Sequence, residues 1–262
     1  MRVILAMVSV AAFAVSASAA VTSSTQHDTA SNGLDSQIAA GDAISGLIAT
    51  ELAGDLGWHS ANTAAADQLA AFTDDAGILG SGLTGLLNDL DPPTTGVGFP
   101  VKRVQYDLAG PTSISEIRVL TGNNGGDGRI FSTFAVYTST NNGGAFDLLG
   151  YFESDPLGSI NNGGSTPQLR STLVSVTDDA SAVLAADVTN VQFDFYAVDN
   201  NGGQYRDPFD GVNPFTSIDD GLTGAFVSPL VFEIDVIAVP EPASALLMLG
   251  GVVALTVRRR RV

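Results

Sequence analysis

An all-β fold with one short helix is predicted by three features of this sequence. Several stretches alternate apolar and polar residues with a period of two and are rich in β-branched and aromatic side chains. Glycine is abundant, at 29 of 262 residues, and Asn–Gly pairs recur between those stretches. A single segment shows helical spacing. Many short strands joined by tight turns, with little else, is the pattern of all-β domains.

The elements follow in chain order. In residues 61–76, Ala61, Ala65, Leu69, Phe72 and Ala76 fall on one stripe, which predicts the helix. Residues 101–108 alternate loosely. In residues 114–120, Ser115, Ile117 and Val119 form the more apolar face of a strand. FSTFAVYTS (131–139) is rich in aromatic and β-branched residues. VQFDFYAV (191–198) alternates cleanly, with Val191, Phe193 and Phe195 on one side. LVFEIDVIA (230–238) is apolar, with Glu233 and Asp235 sharing a face. Asn-Asn-Gly-Gly occurs four times, at 123–126, 141–144, 161–164 and 200–203. Asn and Gly tolerate positive φ, so these are expected as turns, with loops that present amides to a sugar as the other reading. The flanking sequences differ, so the motif marks no solenoid.

Both ends read as address signals. Residues 1–19 have the form of a secretory signal peptide: Arg2, an apolar run at 3–15, and Ala17-Ser18-Ala19 before the expected cut. Residues 20–42 are polar and small, and read as a flexible lead. One domain is expected over 43–238. The chain then closes on VPEPASALLMLGGVVALTVRRRRV (239–262). The apolar run at 243–257 falls short of the roughly 20 residues a full membrane span needs. The arginines after it act as a cationic stop, held inside by the positive-inside rule. Pro240 and Pro242 keep the stretch around Glu241 extended, in a form that a processing enzyme can grip.

Composition bounds the function. The chain holds 11 basic and 28 acidic residues, for a net charge of −17. Five of the bases and one acid lie in the terminal signals, leaving 6 bases against 27 acids between them. Such a surface repels nucleic acid and favours cations, calcium above all; it also serves solubility. There is no cysteine, so disulfides, thiolate metal sites and cysteine nucleophiles are excluded. Only His27 and His59 occur, which excludes a histidine metal cluster. No Gly-x-Ser-x-Gly elbow accompanies His59, a residue expected to pack or turn beside Trp58. No phosphate-cradling loop ends in Lys-Ser or Lys-Thr; Lys102 is the only lysine. A glycosidase needs only two carboxylates at the right distance, and nothing in the sequence singles out a pair.

Two resemblances add to this reading. Pro240-Glu241-Pro242, the apolar run and Arg258, Arg259, Arg260 and Arg261 together resemble the PEP-CTERM sorting signal. That implies a protein of a Gram-negative-type bacterium, exported to the cell surface or extracellular matrix. It also implies transient anchoring by the tail and handling by an exosortase-type processing enzyme. In the middle region, VQYDLAG (104–110), ISEIR (114–118), FAVYTS (134–139) and FEIDV (232–236) resemble the discoidin-like galactose-binding domains. This resemblance implies an antiparallel β-sandwich of jelly-roll type, binding to polysaccharide or another surface glycan, and often a structural calcium. FTDDAG (72–77) falls where the family's calcium loop lies, with Asp75 where glycine is expected. The family's ligand from the last strand maps to Glu233. Asp74 and Glu233 are therefore the candidate calcium ligands, the alternative being a turn acid and a solvated carboxylate. DNNGGQYRDPFDG (199–211) supplies the candidate glycan-binding residues Asp199, Tyr205, Asp207 and Asp210, beside Phe209: aromatic faces stack on sugars and Asp bonds hydroxyls. Asp–Pro turns are the alternative. LLNDLDPP, with Asn88, Asp89 and Asp91, is a similar acid-rich loop. The expectation is a non-enzymatic surface or matrix protein that binds polysaccharide, with a carbohydrate-active hydrolase or a purely structural envelope component as alternatives.

Overall fold

The computed structural model describes residues 20–78, 82–90, 98–123 and 127–240. The expected signal peptide and nearly all of the expected sorting signal (Glu241, Pro242 and the four terminal arginines) lie outside the described residues, as does Asp91. Among the described residues, no helix is long and apolar enough to cross a membrane.

The chain is β-rich and antiparallel. Its strands are β1 (Val21–Asp28), β2 (Thr50–Glu51), β3 (Lys102–Gly122), β4 (Thr133–Ser139), β5 (Asp147–Glu153), β6 (Ser171–Asp178), β7 (Ala185–Phe195) and β8 (Val231–Ala238). One eight-stranded sheet runs β1-β6-β3-β7-β4-β5, with β2 and β8 also paired to β3. The long β3 belongs to both ends of it. Its first residues pair with β7, from Lys102↔Phe195 to Asp107↔Asn190. Its last residues lie between β6 and β8, with Ile117 opposite Val176 and Val236. The register to β7 shifts between Asp107 and Thr112, at Gly110-Pro111. Proline cannot donate to the ladder and glycine weakens it, so the strand bends there and the sheet folds back on itself.

The bend closes the apolar faces around one core. Val104 and Tyr106 of β3, Val191, Phe193 and Phe195 of β7, and Phe134 and Val136 of β4 meet Ile117 and Val119, Val174 and Val176 of β6, and Ile234 and Val236 of β8. These residues follow the period-two alternation expected from the sequence. Phe134 sits 5.5 Å from Phe152 and 6.0 Å from Phe195, in tilted geometry.

Three expectations are corrected. The stripe at 61–76 does not form an α-helix but two short 3₁₀ turns, Ala65–Asp67 and Leu69–Phe72. Ala61, Ala65 and Ala76 are exposed, so the stripe buries too little to hold a helix. The Asn62 side chain instead donates to the carbonyls of Asp67 and Leu86, offering the backbone a competing set of bonds. Second, residues 21–28 of the expected lead form β1, paired along its length with β6. Thr22, Ser23, Ser24 and Gln26 are exposed there, while Val21, Thr25, His27 and Asp28 are half-buried. Third, Glu233 and Asp235 share a face of β8 as expected, but that face is buried.

Three of the Asn-Asn-Gly-Gly motifs, at 141–144, 161–164 and 200–203, are turns or bends, and two of them pack together; most of the motif at 123–126 lies outside the described residues. The Asn162 N–H donates to the Gly203 carbonyl at 2.6 Å. A Cβ on Gly163 would lie 2.3 Å from the Gly202 carbonyl oxygen, so only glycine permits this approach. At 141–144, Asn142 and Gly143 take the positive φ values of 56° and 76° that the turn between β4 and β5 requires.

Candidate functional site

Two places gather the predicted residues. The first lies where β8 passes the segment 39–46 and the turn after Phe72. Glu233 and Asp235 come from β8, Asp42 from the 39–46 segment, and Asp74 and Asp75 from the turn, where Asp75 (φ 59°) and Gly77 (φ 63°) are both left-handed. Of the pair expected from the sequence, Asp74 is exposed, its Oδ1 accepting from Ala76 N–H at 3.0 Å, and its charge is felt by the buried Glu233.

Glu233 is 1% exposed, and neither of its oxygens has a hydrogen-bond donor. Burial, with Asp235, Asp74, Asp75 and Asp42 around it, pushes its carboxyl up to about 10. Asp235, likewise buried, is pushed up to about 6 although Ala39 N–H donates to it at 3.0 Å. Burial raises Asp42 and Asp74 as well. A carboxyl in such company takes a proton or a cation, because an uncompensated buried charge costs several kcal/mol. Among the described residues, no three metal-ligating side chains already stand at coordinating spacing. The chemistry of these carboxylates is that of hard oxygen donors, which suits calcium.

The second place is a cleft of about 320 Å³ between the end of β5 and the segment 205–222. Glu153, Tyr205, Arg206, Asp207 and Asp220 line it, under a rim of apolar residues. Of that rim, Leu157 is 88% exposed and Ile218 63%. The Tyr205 hydroxyl bonds Thr133 Oγ1 at 2.8 Å and donates to Glu153 Oε1 at 3.1 Å. The Tyr151 hydroxyl donates to the same oxygen at 3.3 Å. Asn213 Nδ2 donates to Asp207 Oδ2 at 2.8 Å and to the Tyr151 hydroxyl at 3.4 Å. Glu153 and Asp207 thus belong to one bonded network. Burial and the nearby Asp207 push Glu153 up to about 7, against the two tyrosine bonds. Behind the cleft, Tyr151 stacks on Phe215 at 4.5 Å and 1°, with Tyr196 and Phe209 packed at their edges.

The four candidate glycan residues therefore divide. Tyr205 and Asp207 line the cleft. Asp199 does not: it is buried, and its carboxylate accepts from Asn200 N–H at 2.6 Å and Gly203 N–H at 3.3 Å, holding a turn. Asp210 is exposed and outside the lining. In the other acid-rich loop, Asp89 takes two bonds from the Arg129 guanidinium, at 2.8 and 2.7 Å, which is structural. His59 turns the chain, its Nδ1 accepting from Ala61 N–H. Glu153, Asp42, Asp75 and Asp235 escape sequence reasoning. Asp235 carried a signal in its shared face with Glu233, and Asp75 in its place within FTDDAG.

The chain matches no protein-family model, and no curated protein matches it.

Proposed function

We propose that this chain is an exported, non-enzymatic protein of the bacterial surface or extracellular matrix that binds polysaccharide. Its domain is a β-sandwich of the discoidin-like, jelly-roll kind: the bent β3 shared by two facing parts of the sheet supports that reading. The terminal signals carry it out of the cytosol, and an exosortase-type enzyme processes the tail, which anchors it in the membrane beforehand. Asp74 and Glu233 hold a structural calcium ion, joined by Asp42, Asp75 and Asp235.

The observation that carries polysaccharide binding is the cleft at Glu153. It is concave, walled by hydroxyl-bonding carboxyls and Arg206, and rimmed by apolar side chains that would cover the C–H face of a sugar ring. The test is a pull-down on the host's exopolysaccharide, with the Glu153→Gln/Asp207→Asn variant alongside. Binding should weaken about tenfold or more, the usual cost of losing charged hydrogen bonds. Unchanged binding removes the cleft from the account, and no binding by the unaltered chain leaves a purely structural envelope protein.

One observation favours a hydrolase instead. Glu153 keeps its proton near neutrality beside Asp207, as a general acid next to a second carboxylate would. Release of reducing sugar from the same polysaccharide, abolished in Glu153→Gln, would decide for it.

A further inference from the structure

The cleft at Glu153 has a wall and a rim of opposite character. On the wall stand Glu153, Asp207 and Asp220. The Tyr205 and Tyr151 hydroxyls both bond Glu153 Oε1, which leaves Oε2 without a donor among the described residues. Asp220 Oδ1 accepts from Leu222 N–H at 2.9 Å, and its Oδ2 likewise has no donor. Asp207 is fully engaged, Oδ1 by Phe209 N–H and Oδ2 by the Asn213 amide, both at 2.8 Å. Glu153 and Asp220 thus each keep one carboxylate oxygen for a ligand. At the rim, Leu157, Ile218 and Leu222 are exposed.

The charges acting inside the cleft are of one sign. Burial raises both Glu153 and Asp207, and carboxylates add to each: Asp207 and Asp220 act on Glu153, and Asp220 acts on Asp207. Arg206 is the one base in the lining, and its guanidinium bonds Gln204 Oε1 at 3.1 Å instead of a carboxylate. Such a wall repels an anion and favours a positive group. The rim then says what kind of positive group. A bare metal ion gains nothing from exposed leucine and isoleucine, since hard cations bind through oxygen. An ammonium carried on a sugar ring suits both parts. Its N–H groups donate to the free oxygens, and the C–H face of the ring covers the rim.

We propose that the cleft selects an amine-bearing polysaccharide, one whose hexosamine units lack their acetyl groups and carry a free ammonium. This rests on the polysaccharide reading of the cleft and narrows it. The ammonium donates to Glu153 Oε2, while Asp220 and Asp207 add attraction from the same wall. Its arrival releases to solvent the proton that Glu153 holds near neutrality, because a positive neighbour favours the ionised carboxyl. An N-acetylated unit has no charge to offer. A uronic acid brings a like charge to the wall and is turned away by it.

The test is isothermal titration calorimetry on the full chain, in neutral detergent at neutral pH. The probes are a glucosamine oligomer, its N-acetylated counterpart of the same length, a polyuronate oligomer and an oligolysine. The glucosamine oligomer should bind about tenfold or more tightly than the acetylated one, the usual worth of a charged hydrogen bond, and the polyuronate should not bind. The whole chain is acidic, so long-range attraction must be told apart from the site. Glu153→Gln/Asp220→Asn should lose the preference. Asp147→Asn/Asp187→Asn removes as many charges from exposed positions outside the lining and should keep it. Asp220→Asn alone retains an acceptor for Leu222 N–H and should lose part of the preference, which keeps the test open if the cleft double variant fails to fold. Equal affinity for the two hexosamines would overturn the amine specificity and leave the polysaccharide reading standing. No binding of any sugar, the host's exopolysaccharide included, would overturn both. Equal loss in the two double variants would reduce the effect to net charge and overturn the site. Oligolysine binding as tightly as the glucosamine oligomer would overturn the sugar as its ligand.

Discussion

The Lys102 ammonium, wholly buried at the start of β3, lies 2.8 Å from Glu51 Oε1 on β2 and 4.5 Å above the ring of Trp58. Trp58 Nε1–H donates to the same carboxylate oxygen at 2.6 Å. The three side chains lock the two-residue β2 and the following loop onto the sheet. Among the described residues, Asp55, at 3.7 Å, is the only other carboxylate paired with the ammonium. Glu51→Ala should therefore cost about 2 kcal/mol, by leaving a buried cation with a distant partner. Lys102→Met should cost less, because it leaves Glu51, whose side chain is 44% exposed, and Asp55, whose carboxylate still accepts from the N–H groups of Gly57 and Arg103. Urea denaturation of both variants checks the order.

Gly163→Ala should destabilise by roughly 1–3 kcal/mol, the usual cost of overpacking. The added methyl would meet the Gly202 carbonyl oxygen at 2.3 Å, in backbone that cannot rotate away. The same change at Gly164, where only the Asn161 side chain comes near, at 3.6 Å, should cost clearly less. Thermal melts of the two variants give the comparison.

Glu153 predicts a pH dependence. Its folded value of about 7 lies above the 4.5 of the open chain. Between those values the folded protein holds a proton that the unfolded chain has released. Stability from this group is therefore greatest at low pH and falls as pH climbs from about 4.5 through about 7. Asp207 and Asp220 raise the value, Tyr205 and Tyr151 lower it, and Arg206 lines the same cleft. Glu153→Gln should remove this decline, so Tm curves of variant and parent should converge at acid pH and separate above it.

Replacing Arg258, Arg259, Arg260 and Arg261 with glutamine should reduce surface retention, since the cationic stop is then gone. Cell fractionation with mass analysis of the mature termini reads the outcome; unaltered processing and display would count against the sorting account.

The sheet was legible because its signal is local. Val191, Phe193 and Phe195 alternate in the sequence and point inward in the structure. The stripe at 61–76 misled because alanine marks a helical face without burying enough to stabilise it. Asp74 and Glu233 were named together through resemblance to a family, not through spacing. Asp42 could not be found this way, since its place near Glu233 depends on how a loop and a distant strand come together. Glu153 and Asp207 are joined through Tyr151 and Asn213, a connection that no stretch of the chain displays. Asp199 and Asp207 look alike in DNNGGQYRDPFDG, yet one faces its own backbone and the other a cleft; only three-dimensional placement separates them.

The pairing of β8 with β3 has a mechanical consequence. The chain leaves β8 at Ala238, and Val239 N–H still donates to the Ser113 carbonyl at 2.7 Å. A protein held by its tail would feel any drag on the rest of the domain at this point. The pull would run lengthwise along β8 and load the rungs from Ile114↔Ala238 to Thr121↔Val231 side by side instead of one after another. Rungs strained in parallel must fail together, so, under the proposed anchoring by the tail, β8 would resist flow better than a strand peeled off one rung at a time.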